Sequence, residues 1–179
     1  EEKQWTMDGS SEEDVPVTRT LNHFYDPIYQ TGLSGDINAE ELTPFIKILE
    51  PMILSAKDWA QDSYAQATFL AEAYKNAALN PFAQFTKSAA DILTTHTWEK
   101  AINSYINGNQ QDAFENLGHI LHLIEDMAVP AHVRNDHHLR GDAYENWAAQ
   151  FGPNNINVVS QLKNKSPLKF NSLNQYLII

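Results

Sequence analysis

From Gln110 to Ala128 the sequence reads as one long helix with an unusual polar face. At about 100° per residue, Glu115, His119 and Asp126 fall within about 60° of His122. Ala113, Leu117, Ile120, Leu123, Ile124, Met127 and Ala128 fill the opposite half. The stripe carries histidine and carboxylate but no Lys or Arg, whereas a face turned to water is usually Lys-, Glu- and Gln-rich. Two readings follow: an amphipathic helix with its stripe in solvent, or a helix whose His122 and Asp126, at i and i+4, reach one metal ion. Pro130 ends the helix, and His132 follows at a turn able to aim its imidazole back at the stripe. The chain has no cysteine, so a metal must be held by His, Asp, Glu or backbone, with no thiolate and no disulfide.

The rest of the chain is helical by the same signals. Its 179 residues are the size of a single domain. Residues 1–37 read as loop-rich, broken at Gly9-Ser10-Ser11, Pro16, Asp26-Pro27 and Gly32 to Gly35. The helical core is expected over 38–152. A helix starts at Asn38-Ala39-Glu40-Glu41 and ends near Pro51. Ser55 caps a long helix to about Leu79, stopped by Asn80-Pro81. Another runs from about Phe85 to Tyr105 and stops at Asn107-Gly108, and a last one opens at Gly141-Asp142 and closes at Gly152-Pro153. Residues 153–179 are a weakly structured tail. Trp98 to Leu117 resembles one tetratricopeptide-type helix pair. A single copy cannot bury its faces, so two packed helices joined by a Gly turn is the expected form.

Charge and further candidates narrow the function. Lys+Arg 12 against Asp+Glu 23 gives −11, which disfavours a groove for a polyanion. No apolar run approaches the ~20 residues of a membrane span. Asp142-Ala-Tyr-Glu145 is either a helix cap or a pair of ligands facing His132. His23 sits in a loop closed by Asp26-Pro27, where packing is the commoner role, and Glu12-Glu13-Asp14 reads as a solvated acidic run. Arg134 is placed to touch a phosphate or to form an exposed ion pair.

Three islands, in order, carry a resemblance: His23-Phe24-Tyr25-Asp26-Pro27, then Leu121-His122-x-x-x-Asp126-x-x-x-Pro130-x-His132, then Tyr144-Glu145-Asn146. Together they resemble the zinc-dependent phospholipase C family, whose fold is shared with the fungal single-strand-specific nucleases. The likeness spans roughly Trp5 to Trp147. It implies an all-α, single-domain fold around zinc ions, with His23, His122, Asp126 and the early acid Asp14 as ligands of one ion and His132 and Glu145 as ligands of a second. His119 falls where the family has no ligand and is assigned to packing or to support of the ligands; His96, His137 and His138 have no counterpart. The family's His four residues before the Glu is here Gly141, so that ligand is Asp142, favoured by its helix position, or His138 folded back from the loop, or water. The family's amino-terminal zinc-binding stretch has no match, so the chain is expected to start partway into the fold and to hold about two zinc ions. The implied activity is hydrolysis of a phosphoester, a phospholipid or, less in keeping with the charge, a nucleic acid, with Asp14 as general base and an extracytoplasmic setting. The alternatives are an inactive zinc-binding relative serving as an interaction module, and a nuclease of the same fold.

Overall fold

Small residues, not an amphipathic pattern, set the position of the first helix. In the computed structural model, which describes residues 1–35, 37, 43–79, 88–138 and 141–151 together with 163, 165, 166 and 169, α1 (Glu2–Glu12) crosses α7 (Gln110–Asp126) glycine to glycine. A Cβ on Gly9 would run into the Glu115 carbonyl, and one on Gly118 into the Thr6 carbonyl. The expectation of a loop-rich front end is corrected here. Gly9-Ser10-Ser11 lies inside a helix because the close approach offsets the roughly 1 kcal/mol that glycine costs a helix interior.

The other helices are α2 (Pro44–Leu49), α3 (Ala56–Trp59), α4 (Ser63–Lys75), α5 (Ala89–Ile92), α6 (Trp98–Ile106) and α8 (Ala143–Phe151). The fold is all-α: among the described residues strand pairing is limited to one isolated bridge, Asp26 with Thr31. No helix among these residues is long and apolar enough to cross a membrane. Trp59, Phe45, Phe69, Leu49, Leu33 and Ile120 are among the side chains that form the core.

Two expected long helices are each divided. Ser55 does cap a helix, accepting from the Asp58 amide, but α3 stops at Trp59 and Asp62 caps a new start by accepting from the Ala65 amide. The buried Gln66 makes the break tolerable: its amide donates to the Trp59 and His96 carbonyls, and its Oε1 accepts from the His96 amide. The expected helix from Phe85 to Tyr105 is likewise two, because Ser88 caps α5 and Thr97 caps α6. The expected starts at Asn38–Glu41 and Phe85, the stop at Asn80-Pro81, and nearly all of the tail lie outside the described residues. Thr43 caps α2, and a 3-10 turn over Glu50–Met52 carries Pro51. α6 and α7 pack as a pair joined through Gly108 at φ 79°, the simple form rather than an isolated repeat.

Candidate metal centre

Four chain segments meet beside the polar stripe of α7. The end of α1 delivers Glu13 and Asp14, a 3-10 turn over Val17–Asn22 leads into His23, α7 carries His119, His122 and Asp126, and the turn after Pro130 carries His132. The His23 loop is fixed from both sides: the Tyr25 amide donates to the His132 carbonyl at 3.0 Å and the Ala56 amide to the Phe24 carbonyl at 2.9 Å. His23 is therefore buried.

Asp14, His23 and His122 form one group able to hold a metal ion. Asp14 Oδ1 lies 3.6 Å from His23 Nδ1 and 3.5 Å from His122 Nε2. Asp126 Oδ2 lies 2.9 Å from that His23 nitrogen and 3.6 Å from that His122 nitrogen. Four ligands bonded at 2.0–2.1 Å to a tetrahedral centre stand about 3.4 Å from one another, so these spacings suit an ion of that kind. His122 Nδ1 donates to the Ser10 carbonyl at 2.8 Å, which leaves Nε2 with its lone pair toward the carboxylates.

His132, His138 and Glu145 form the second group. Glu145 Oε1 is 3.4 Å from His132 Nε2 and 3.7 Å from His138 Nε2. The other ring nitrogen of His132, Nδ1, is 3.4 Å from Asp126 Oδ2, so one carboxylate oxygen stands between the two groups. Buried polar atoms here lack a hydrogen-bond partner: Asp126 Oδ2, His132 Nδ1, His138 Nε2 and His23 Nε2. Buried polar groups nearly always make hydrogen bonds, so a cluster of imidazole nitrogens around a carboxylate oxygen with none of these atoms hydrogen-bonded fits a site for cations.

The electrostatics agree. Burial works against the charged form of Asp126, yet His132 and His23 hold its carboxyl well below the usual carboxylate range. Burial likewise works against a charged His23, but Asp126 and Glu13 push it up to about 9. A cleft of about 450 Å³ opens onto both groups, with Val17, Thr20, Leu21 and Phe24 on its less polar side and His137 also in its wall. Among the described residues no Lys or Arg lines it.

Not every expected residue joins the centre. Asp142 is the helix cap: its Oδ1 accepts from the Tyr144 amide at 2.7 Å and the Glu145 amide at 3.0 Å, and the Glu145 amide foremost holds its carboxyl below the ordinary value. The order favoured from sequence is thus reversed, since His138 from the loop stands beside the Glu145 carboxylate in the second group and Asp142 is turned to the backbone. Arg134 lines a separate depression with Asp26 and Asp136.

Glu13 was read as part of a solvated run, but it is fully buried. Its Oε2 accepts from Arg19 at 2.7 Å and from His119 Nδ1, and its Oε1 accepts from Trp59 Nε1 at 2.7 Å. Burial raises its pKa, but Arg19, His119 and His23 outweigh that and hold it well below the ordinary carboxylate range. His119, set apart from the ligands in the sequence reading, packs face to face on His96 at 3.6 Å. Only the position of Glu13 beside Asp14 marks it in the sequence, since two of its partners, Trp59 and His119, lie more than thirty residues away. Compared with family models, with curated proteins and with solved structures, the chain matches none.

Proposed function

We propose that this protein is a zinc-dependent phosphodiester hydrolase resembling phospholipase C. The observation that carries the reading is the pair of His/carboxylate groups set on either side of Asp126 Oδ2 at the floor of one cleft. Four imidazoles with three carboxylates and no sulfur suit zinc better than magnesium or calcium, which prefer oxygen. Two such ions supply an acidified water and a clamp for phosphoester oxygens.

The chain's own groups then have distinct work. His23, His122, His132 and His138 orient the site, and Phe24 packs on the His132 ring with centroids 4.7 Å apart. Asp14 is the solvent-facing carboxylate of the first group, its side chain 54% exposed, and it takes the proton from the attacking water. Water adds to phosphorus, the bond to the leaving ester oxygen breaks, and that oxygen leaves with the proton that Asp14 took up. With Asp142 outside the centre, Asp14, Asp126 and Glu145 give three negative charges against four on two dications. The surplus of one positive charge matches a singly charged diester. The −11 net charge weighs against a nucleic-acid strand. A second reading, a zinc-binding interaction module, draws on the exposed apolar face of α6, where Trp98, Ile102, Tyr105 and Ile106 are all open to solvent.

The test is hydrolysis of a chromogenic phosphodiester and of short-chain phosphatidylcholine by zinc-loaded protein. Turnover that a chelator abolishes and zinc restores is expected. Zinc-loaded protein that turns over neither these nor oligonucleotides supports the interaction module instead.

A further inference from the structure

Behind the first group lies a buried set of charges that the hydrolysis reading does not use. Glu13, fully enclosed, is held by Arg19, Trp59 and His119, and its Oε1 stands 3.5 Å from His23 Nε2. That nitrogen is buried and has no hydrogen-bond partner, while the opposite nitrogen of the same ring, Nδ1, faces Asp14 and Asp126. A neutral imidazole that gives one nitrogen to a metal must carry its proton on the other. For His23 that proton sits on Nε2, and the nearest carboxylate oxygen, Glu13 Oε1 at 3.5 Å, belongs to a group held in place by its other bonds.

We infer that Glu13 is a positioning residue for the candidate metal centre: its carboxylate accepts the Nε2 proton of His23 and so fixes Nδ1 as the metal-binding nitrogen. This rests on the metal reading of the Asp14, His23 and His122 group. The supports of Glu13 have a common purpose under this inference. Arg19 is itself buried, with Nε donating to the Glu13 backbone carbonyl at 3.2 Å and its guanidinium 5.1 Å from the Trp59 ring. His119 donates Nδ1–H to Glu13 Oε2, and its ring is stacked on His96, whose Nδ1 is 3.1 Å from Asn116 Oδ1. Asn116 Nδ2 already donates to the Asp112 carbonyl at 2.7 Å, so its Oδ1 is the acceptor and His96 Nδ1 the donor. The carboxylate is thus clamped from α7, from the 3-10 turn and from α3 at once. A carboxylate on the far nitrogen of a metal-bound imidazole raises its basicity and locks its orientation.

The experiment is nitrogen NMR of ¹⁵N-histidine-labelled, zinc-loaded protein, with zinc titrations of variants. In the wild type, His23 is expected to be metal-bound through Nδ1 and protonated at Nε2, a signature that a purely structural Glu13 does not set. Coordination of His23 through Nε2 overturns the inference and leaves the metal reading standing; an absence of any zinc-bound histidine overturns both. Glu13→Gln should weaken binding of one zinc ion ten-fold or more and leave the other ion within about two-fold. Because Glu13→Gln strands the Arg19 charge, the pair Glu13→Leu with Arg19→Met removes both charges together and supplies a second variant that keeps the interior neutral. Unchanged affinity for both ions in a folded variant overturns the inference.

Discussion

Asp126 and His138 show how single atoms decide what the centre can do. Asp126 Oδ2 lies near nitrogens of His23, His122 and His132, so Asp126→Ala should cost occupancy on both sides, whereas His122→Ala should affect one. Elemental analysis is expected to fall from about two zinc per chain to below one for Asp126→Ala and to about one for His122→Ala. The cap and the ligand near Glu145 separate in the same way. Asp142→Ala loses a capping acceptor and should cost about 1 kcal/mol of stability with zinc affinity unchanged. His138→Ala should weaken zinc ten-fold or more, read by competitive titration. A third residue governs acid sensitivity. Burial, helped by the neighbouring His119 and Arg19, pushes the His96 ring down to about 2 from the ordinary 6.5. Below pH 6.5 the unfolded chain takes up that proton and the folded chain does not, so stability drops as pH falls from there. His96→Gln should lower the slope of unfolding free energy against pH by one proton, about 1.4 kcal/mol per pH unit, in urea titrations between about pH 6 and 4.

At the level of helices, what was legible in the sequence had a period and what was not had a partner. α7 is visible because apolar residues recur at helical spacing; its cap, Asn109, is seen only in the structure. Its stripe also pointed to His122 and Asp126 without any tertiary knowledge. α1 has almost no amphipathic pattern and contains a Gly-Ser-Ser run, so only its crossing with Gly118 explains why it is helical. The breaks in the chain at Ala60–Asp62 and before Trp98 depend on Gln66, whose partners are distant in sequence. Asp142 and Glu145 have a spacing that serves a cap and a metal pair equally, and the fold decides between them. The crossing itself is testable. Gly118→Ala puts a methyl against the Thr6 carbonyl, a backbone atom that cannot swing aside, and should destabilise by about 3 kcal/mol in urea while also lowering zinc affinity, because α1 carries the Ser10 carbonyl and leads into Asp14. Gly108→Asn is the control: its Cβ meets open space, φ is 79°, and a cost of about 1 kcal/mol or less with unchanged zinc is expected.

Taken whole, the molecule draws its candidate ligands from segments far apart in the described chain, so a metal bound there would couple its binding to folding. Zinc held about a thousand-fold above its dissociation constant adds about 4 kcal/mol, which for a chain of this size raises the melting temperature by roughly 10 °C. A chelator should remove that increment in a thermal melt, and a melt indifferent to chelator contradicts the metal centre. The contact between Glu13 and His119 spans 106 positions of sequence. A ribosome releases Asp14 and His23 long before it releases α7, and the turn with His132 and the helix with Glu145 come later still. Throughout that interval Glu13 and Arg19 have water for company, and the histidines cannot converge on one ion. A metal ion held by these residues would therefore find its ligands together only once α8 has emerged, and a fragment that stops short of α7 should not retain one.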